Sequence, residues 1–478
     1  MHYKEVERQN HNASKASKKG KMRQIHQEQL PIIEPCGNHK ISRLLEKIST
    51  IIDDNPIIAE RAFEDLLKED ISSDSGRKSL AADQIVRVAV LYRLFNCSYR
   101  ELEFRLTDST AARRFARLSY VDEPGKSSLQ QDIKALRAET WESINKVLVG
   151  YAVENDIESG KKIRTDTTVV ESNIHQPTDS RLLVDCVKSV CRVLEQLSIA
   201  LPDLNIEYSV SLRRAKKRGM EIANPSGRKG VERKRKKSYK DLINVTRKTS
   251  GYGHDALIIL RRLKGTADEL AIAKLFILRI EHLLPLVDQV IDQAHRRIFL
   301  EETVPSKEKV VSIFEEHTDI IVKDRRNTLY GHKFCLTTGA SSLVIDAVVE
   351  EGNPGDSTLV ERTVTRVIGV LGHIPNAIAF DGGFTSKENL EKVKNLGVKE
   401  VCFHKKRGID VAEMVSSPAI FKTLKKFRAG IEGVISALKR ELGLSRATWK
   451  GIDGFEKYVW SGIVAFNLSI IGKHLLKH

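Results

Sequence analysis

Three acidic residues sit where acidic residues are not expected to rest quietly. Asp166 lies in the middle of the β-branched run Ile163-Arg164-Thr165-Asp166-Thr167-Thr168-Val169-Val170. A central strand disfavours aspartate, and burial is costly unless the carboxylate is paired or bound to a metal. Asp381 ends the apolar stretch Ala377-Ile378-Ala379-Phe380 and is followed by Gly382-Gly383. The carboxyl end of a strand is a common site position in α/β sheets, although Asp-Gly also opens turns. Glu432 stands in Arg428-Ala429-Gly430-Ile431-Glu432-Gly433-Val434. On a helix, Arg428 and Lys439 fall within about 40° of it, and the plain alternative is a surface ion pair worth about 0.3–0.5 kcal/mol. The two flanking glycines each cost a helix about 1 kcal/mol, which suggests a close approach to this face. Together, three carboxylates offer hard oxygen ligands suited to Mg²⁺ or Mn²⁺. Two such ions activate a water or a 3′-hydroxyl and stabilise the leaving oxygen in phosphodiester cleavage and transfer.

The elements that must position these residues follow from periodicity. Ile85, Val86, Ala89, Leu91, Tyr92 and Phe95 recur at helical spacing. Ser98 and Glu101 form an S-x-x-E signature that opens a second helix. Asp108 to Leu118 reads as a third, bearing Arg113, Arg114 and Arg117, and the set is compatible with a helix-turn-helix-like unit or with a purely structural bundle. Ile163–Val170 reads as a strand. A long helical stretch follows, with a kink or division expected at Pro285. Then come a hairpin (His332–Thr338 and Leu343–Glu350), a helix, the strand Ala377–Phe380, a helix, the strand Glu400–Phe403 and a helical C-terminus. An isolated strand is unstable, so Ile163–Val170 needs the later strands as partners. The expected fold is α/β: a ribonuclease-H-like mixed sheet with a large helical insertion between strands 1 and 2, plus an N-terminal helical domain. The expected boundaries are 1–75 for a basic extension, 76–155 for a helical DNA-binding domain, 160–178 with 325–478 for the catalytic domain, and 179–324 for the insertion.

The 478 residues carry a net charge of +16, with 41% hydrophobic and 30% charged residues, a folded rather than disordered balance. The excess is local. Arg213 to Lys248 holds fifteen basic and three acidic residues, and the first 25 residues hold seven basic and two acidic. Such blocks neutralise phosphates, so Arg233, Lys234, Arg235, Lys236 and Lys237 are candidate DNA contacts. The plain alternative is a solvated loop, supported by Ala223-Asn224-Pro225-Ser226-Gly227. There is no apolar run long enough to span a bilayer, no secretory signal at the N-terminus, and no C-x-x-C pair among the six cysteines. Those features fit a cytoplasmic, nucleoid-associated protein without membrane contact. No Walker A or dinucleotide glycine motif occurs.

These blocks resemble the DDE transposases of bacterial insertion sequences, most closely the ISNCY group. The segment AADQIVRVAVLYRLFNCSYRELEFRLTDSTAARRFARL from Ala81 resembles that family's N-terminal domain. RTDTTVVESNIHQPTDSRLL from Arg164 resembles its first-aspartate block, AFDGGFTSKENL from Ala379 its second, and RAGIEGVISALKRELGLSR from Arg428 its glutamate block. The resemblance implies that Asp166, Asp381 and Glu432 are a catalytic triad holding two Mg²⁺ or Mn²⁺ ions. Arg428 and Lys439 match the arginine and lysine of the family's tyrosine–arginine–glutamate–lysine signature and are implied DNA contacts. The tyrosine position is Lys425, a cation that contacts phosphate as a point charge without stacking. The implied partners are double-stranded DNA, as the element's terminal inverted repeats and the target, and a second copy of the chain in a homodimer. A DNA-binding regulator that keeps the fold without transposition, or a standalone metal-dependent nuclease, are the competing expectations.

Overall fold

A computed structural model describes residues 39–67, 79–119, 121–225, 230–322 and 327–477, with the backbone of 21–22, 77–78 and 323. The basic N-terminal residues and residues 226–229, which include the last two of the expected loop, lie outside the described residues. Helices α1 (Lys40–Asp54), α2 (Ile57–Leu66), α3 (Ala82–Phe95), α4 (Tyr99–Asp108), α5 (Thr110–Phe115), α6 (Lys126–Ala135) and α7 (Ala138–Glu154) precede the sheet. α3 is buried from Ala82 to Arg93, and the Ser98 hydroxyl that caps α4 accepts from the Glu101 N–H at 3.2 Å. The cations expected to form an arginine face turn to neighbouring helices instead. Arg113 donates to the Leu106 carbonyl at 2.9 Å, Arg114 pairs with Glu46 at 3.1 Å, and Arg117 pairs with Asp83 at 3.2 Å and also with Asp53. Arg87, fully buried, donates to Ser49 and Asp53, both at 2.7 Å. These bonds fasten α1, α3 and the α5 region to one another, because a buried guanidinium must find acceptors.

Strand β1 (Lys162–Glu171) opens the sheet. Helices α8 (Asp179–Ala200), α9 (Leu212–Ala223), α10 (Val231–Arg262) and α11 (Ala267–Phe299) follow. Then come β2 (Asp319–Lys323), β3 (Asn327–Thr338), β4 (Val344–Val349), α12 (Val360–Leu371), β5 (Ala377–Phe380), α13 (Lys387–Asn395), β6 (Glu400–Phe403), α14 (Val411–Met414), α15 (Pro418–Arg440) and α16 (Gly451–Leu475). The chain divides into two compact units. One is formed by residues up to 172 together with 331–478, the other by residues 173–330.

In the first unit the sheet is mixed. β1 runs antiparallel to β3, with Asp166 opposite Leu336, and parallel to β5, with Thr165 opposite Phe380. β6 extends the sheet parallel to β5, and β4 pairs antiparallel with β3. β2, in the second unit, was not expected: its apolar run Ile320-Ile321-Val322 is closed in by Asp319 and Lys323 at the end of a long helical stretch. The hairpin, the two parallel strands and the ribonuclease-H-like mixed sheet agree with the sequence expectation. Strands β5 and β6 are apolar because helices cover them, as parallel strands require. The buried residues of α15 are Leu424, Ile431, Val434 and Leu438, a stripe that packs on β1, β5 and β6. Asn467 of α16 and Asn145 of α7 bond each other at 2.7 Å, and Asn467 also pairs with both backbone groups of Val344.

In the second unit, α8, α10 and α11 share an apolar core that includes Leu183, Cys186, Val187, Leu242, Val287 and Val290. Of the kink or division expected at Pro285, division does not occur: α11 continues through the proline. The lost hydrogen bond is offset by the burial of Leu284 and Val287 on either side. No helix among the described residues is long and apolar enough to cross a membrane.

Candidate active site

Parallel pairing of β1 with β5 ends at Thr165 and Phe380, so the next residue on each strand is an aspartate: Asp166 and Asp381. α15 crosses beneath them, started by Pro418 behind the Ser417 cap, whose hydroxyl accepts from the Ile420 N–H at 3.3 Å. The three carboxylates converge on one cation. Arg428 Nη2 lies 3.0 Å from Asp166 Oδ2 and 2.9 Å from Asp381 Oδ1, while its Nη1 lies 3.0 Å from Glu432 Oε1. Arg428 is therefore the hub of residues that are far apart in sequence. Its side chain is only 12% exposed, against 66% for Glu432, so the site is open on the glutamate side. Among the described residues no three His, Cys, Asp or Glu side chains are gathered closely enough, as placed, to hold a metal ion. The three carboxylates each reach a guanidinium nitrogen instead. As a donor set they are still all hard carboxylate oxygens, and a cation already stands at their meeting point, which fits a divalent-ion site.

Burial pushes the Asp166 carboxyl up to about 6, against the pull of the Arg428 guanidinium and of the Thr167 N–H that bonds Oδ1 at 2.8 Å; the negative charge of Asp381 adds to the rise. Two groups that the sequence did not single out, or left ambiguous, hold the frame. Arg164, two residues before Asp166, is buried. It donates to Thr338 Oγ1 at 3.0 Å, to Ser342 Oγ at 3.0 Å and to the Phe427 carbonyl at 2.9 Å. It thus ties β1 and the β3–β4 hairpin to the helix that carries Arg428 and Glu432. A Cβ on Gly430 would lie 2.1 Å from Arg164 Nη1, which explains a glycine there; one on Gly433 would meet nothing within 4 Å. Of the two glycines read as marks of a close approach, one is so. Asp356, equally readable as a loop residue, accepts from Thr167 Oγ1 at 3.1 Å and from Lys333 Nζ at 3.0 Å. A Cβ on Gly383 would lie 2.4 Å from Asp356 Oδ2, so Asp356 bonds the residue after Asp166 and packs closely on the glycine two beyond Asp381.

Lys425 is exposed on α15 about a turn before Arg428, and Lys439 is half-buried two turns beyond Glu432. In the second unit, Arg233, Lys234, Arg235 and Lys237 are exposed on α10, while Lys236 is half-exposed and pairs with Glu301 at 2.9 Å. Two of the three acidic residues of this basic block, Asp241 and Glu221, are consumed in joining its helices. Asp241 pairs with Arg214 and, at 2.5 Å, with Arg218; Glu221 takes Arg218 at 2.7 Å and Ser238 at 2.9 Å. The remaining cations are left facing outward. A groove of about 1140 Å³ between α8, α9 and α10 is lined by Arg181, Lys216, Arg235 and Tyr239.

Two family models match the chain: a transposase domain (DUF772) over residues 34–131, and a transposase DDE domain over residues 316–468. The chain is a DDE transposase. The DDE match contains Asp381, Glu432 and Arg428 of this transposase, whereas Asp166 lies outside both matched segments and is joined to them through β1 and Arg428. Members of the family depend on divalent metal for DNA cleavage and transfer, and DNA is the partner of the transposase. No curated protein and no solved structure matches the chain.

Proposed function

We propose that Asp166, Asp381 and Glu432 are the catalytic carboxylates of this transposase and would hold two divalent ions, Mg²⁺ or Mn²⁺. In this reading it binds the terminal inverted repeats of its own insertion sequence, cleaves there, and joins the 3′-hydroxyl ends to target DNA, acting as a homodimer on nucleoid DNA in the cytoplasm. The observation that carries it is the meeting of three carboxylates from β1, β5 and α15 around one guanidinium. When bound, the ions supply Lewis-acid activation of the attacking oxygen and stabilise the leaving one. The chain's own residues do the rest. Arg164 and Asp356 keep the three elements in place, Lys425 and Lys439 on α15 contact DNA phosphates beside the site, and the exposed cations Arg233, Lys234, Arg235 and Lys237 of α10, with Lys236, grip the duplex.

The test is a cleavage and strand-transfer assay on labelled DNA carrying the inverted repeats that flank the coding sequence. Asp166→Ala, Asp381→Ala and Glu432→Ala should each abolish Mg²⁺-dependent cleavage and leave end binding intact. Retained cleavage in any one of them removes that residue from the triad. Cleavage by the unaltered protein without joining would mark it as a nuclease, and end binding without cleavage as a regulator.

A further inference from the structure

Arg428 was expected to contact DNA, yet its two terminal nitrogens are spent on the three carboxylates. Resting on the metal-site reading above, we infer that Arg428 is a positioning residue that holds the carboxylates together in the metal-free protein and is displaced when a divalent cation enters. Asp166 and Asp381 each give an oxygen to the same atom, Nη2, at 3.0 and 2.9 Å. An ion that takes those two oxygens takes the place of that nitrogen, and like charge repels the guanidinium.

Three further observations point the same way. One positive charge cannot neutralise three carboxylates, so the cluster keeps a negative surplus that attracts a second cation. The guanidinium's remaining donor, Nε, is buried without a hydrogen-bond partner, so the three-carboxylate pose does not satisfy the arginine. Glu432, the most exposed of the three, is held by Nη1 alone and lies on the open side, which gives the ion a way in. Arg428 thus keeps like charges from driving β1, β5 and α15 apart until the ion arrives. Once released, its planar fork of N–H donors suits a phosphate. Ion loading and phosphate capture become one exchange, which reconciles the DNA-contact expectation with the engaged arginine.

The experiment uses the full-length protein and Mn²⁺ alone, followed by calorimetry and by electron paramagnetic resonance of free Mn²⁺. Arg428→Gln should bind Mn²⁺ at least about tenfold more tightly than the unaltered protein, with Arg428→Lys in between. In the unaltered protein, phenylglyoxal labelling of Arg428, read by peptide mass spectrometry, should quicken when Mn²⁺ is added; this holds the test open if Arg428→Gln fails to fold. Equal Mn²⁺ affinity with and without Arg428, when Asp381→Asn weakens both, overturns the exchange and leaves the metal site standing. Labelling that is unchanged or slowed by Mn²⁺ overturns it too. Mn²⁺ binding indifferent to Asp381→Asn removes the metal site itself, and the exchange with it.

Discussion

Arg87, Arg113 and Arg117 sit among carboxylates and carbonyls and fasten the helices before the sheet. Arg233, Lys237 and Lys240 stand out from α10, with no ion-pair partner among the described residues. In sequence the two groups look alike: cations on helical segments. The difference is what the local acids do. In the first region Asp53 and Asp83 meet the arginines directly. In the second, Asp241 and Glu221 pair with Arg214 and Arg218, which lock α9 to α10 and free the face at positions 233, 237 and 240. Spaced four and three residues apart, those three lie along one side of the helix. The lesson is that a basic segment becomes a phosphate surface only where its acids are used up elsewhere.

This contrast can be broken at several points. Arg87→Met should cost about 3–5 kcal/mol of stability, because it leaves Asp53 and Asp83 without their buried partner, while the DNA affinity of the folded fraction stays the same. Urea denaturation beside a binding assay reads both, and a loss of DNA affinity with stability intact would reverse the assignment. The triple change Arg233→Glu, Lys237→Glu and Lys240→Glu should do the opposite. We expect about a hundredfold weaker DNA binding, a slope of log affinity against log salt shallower by about 2–3, and an unmoved urea midpoint. A binding slope that does not change takes α10 off the DNA.

Within the site, Gly430→Ala should lose about 1–3 kcal/mol by pressing on Arg164, whereas Gly433→Ala should be neutral or gain up to about 1 kcal/mol; thermal melts of the pair decide whether the Arg164 contact is real. The same site carries a pH dependence. The folded-state carboxyl of Asp166 titrates at about 6, above its ordinary value of 3.8. Below pH 4 both states hold the proton. Between 4 and 6 the unfolded chain releases it first, so stability falls as pH rises, and above 6 the loss is complete. Asp166→Asn lacks this slope. Relative to the unaltered protein it should therefore gain up to about 3 kcal/mol between pH 4 and 7, measured by urea titration with EDTA present.

Much of the sheet was legible because its strands declare themselves. Ile163–Val170 is β-branched, and Ala377–Phe380 and Glu400–Phe403 are short apolar runs between helical patterns, so a parallel, covered arrangement follows. The odd placement of Asp166 and Asp381 was legible for the same reason, since a carboxylate in or at the end of such a run conflicts with its surroundings. Arg164 was not, although it stands two residues from Asp166. Its partners include a carbonyl at Phe427, and nothing in the local pattern tells a buried arginine from a solvated one. The only hint was indirect: a glycine at position 430 on an amphipathic helix, kept against its propensity. The arginines at 114 and 117 stayed open to two readings, because their acceptors Glu46 and Asp53 lie 68 and 64 residues away along the chain.

By itself, the order of residues determined the elements, the concentration of charge in two segments, and which acidic groups stand in strained company. These depend on periodicity and on the preferences of single side chains. The tertiary structure alone decided which charges are satisfied: that Arg428 gathers Asp166, Asp381 and Glu432, that Arg164 binds β1 to α15, and that the cations of α10 remain outward. The physical reason is that a charge is defined by what it meets in space. Coulomb and hydrogen-bond energies act over a few ångströms, whatever the separation along the chain.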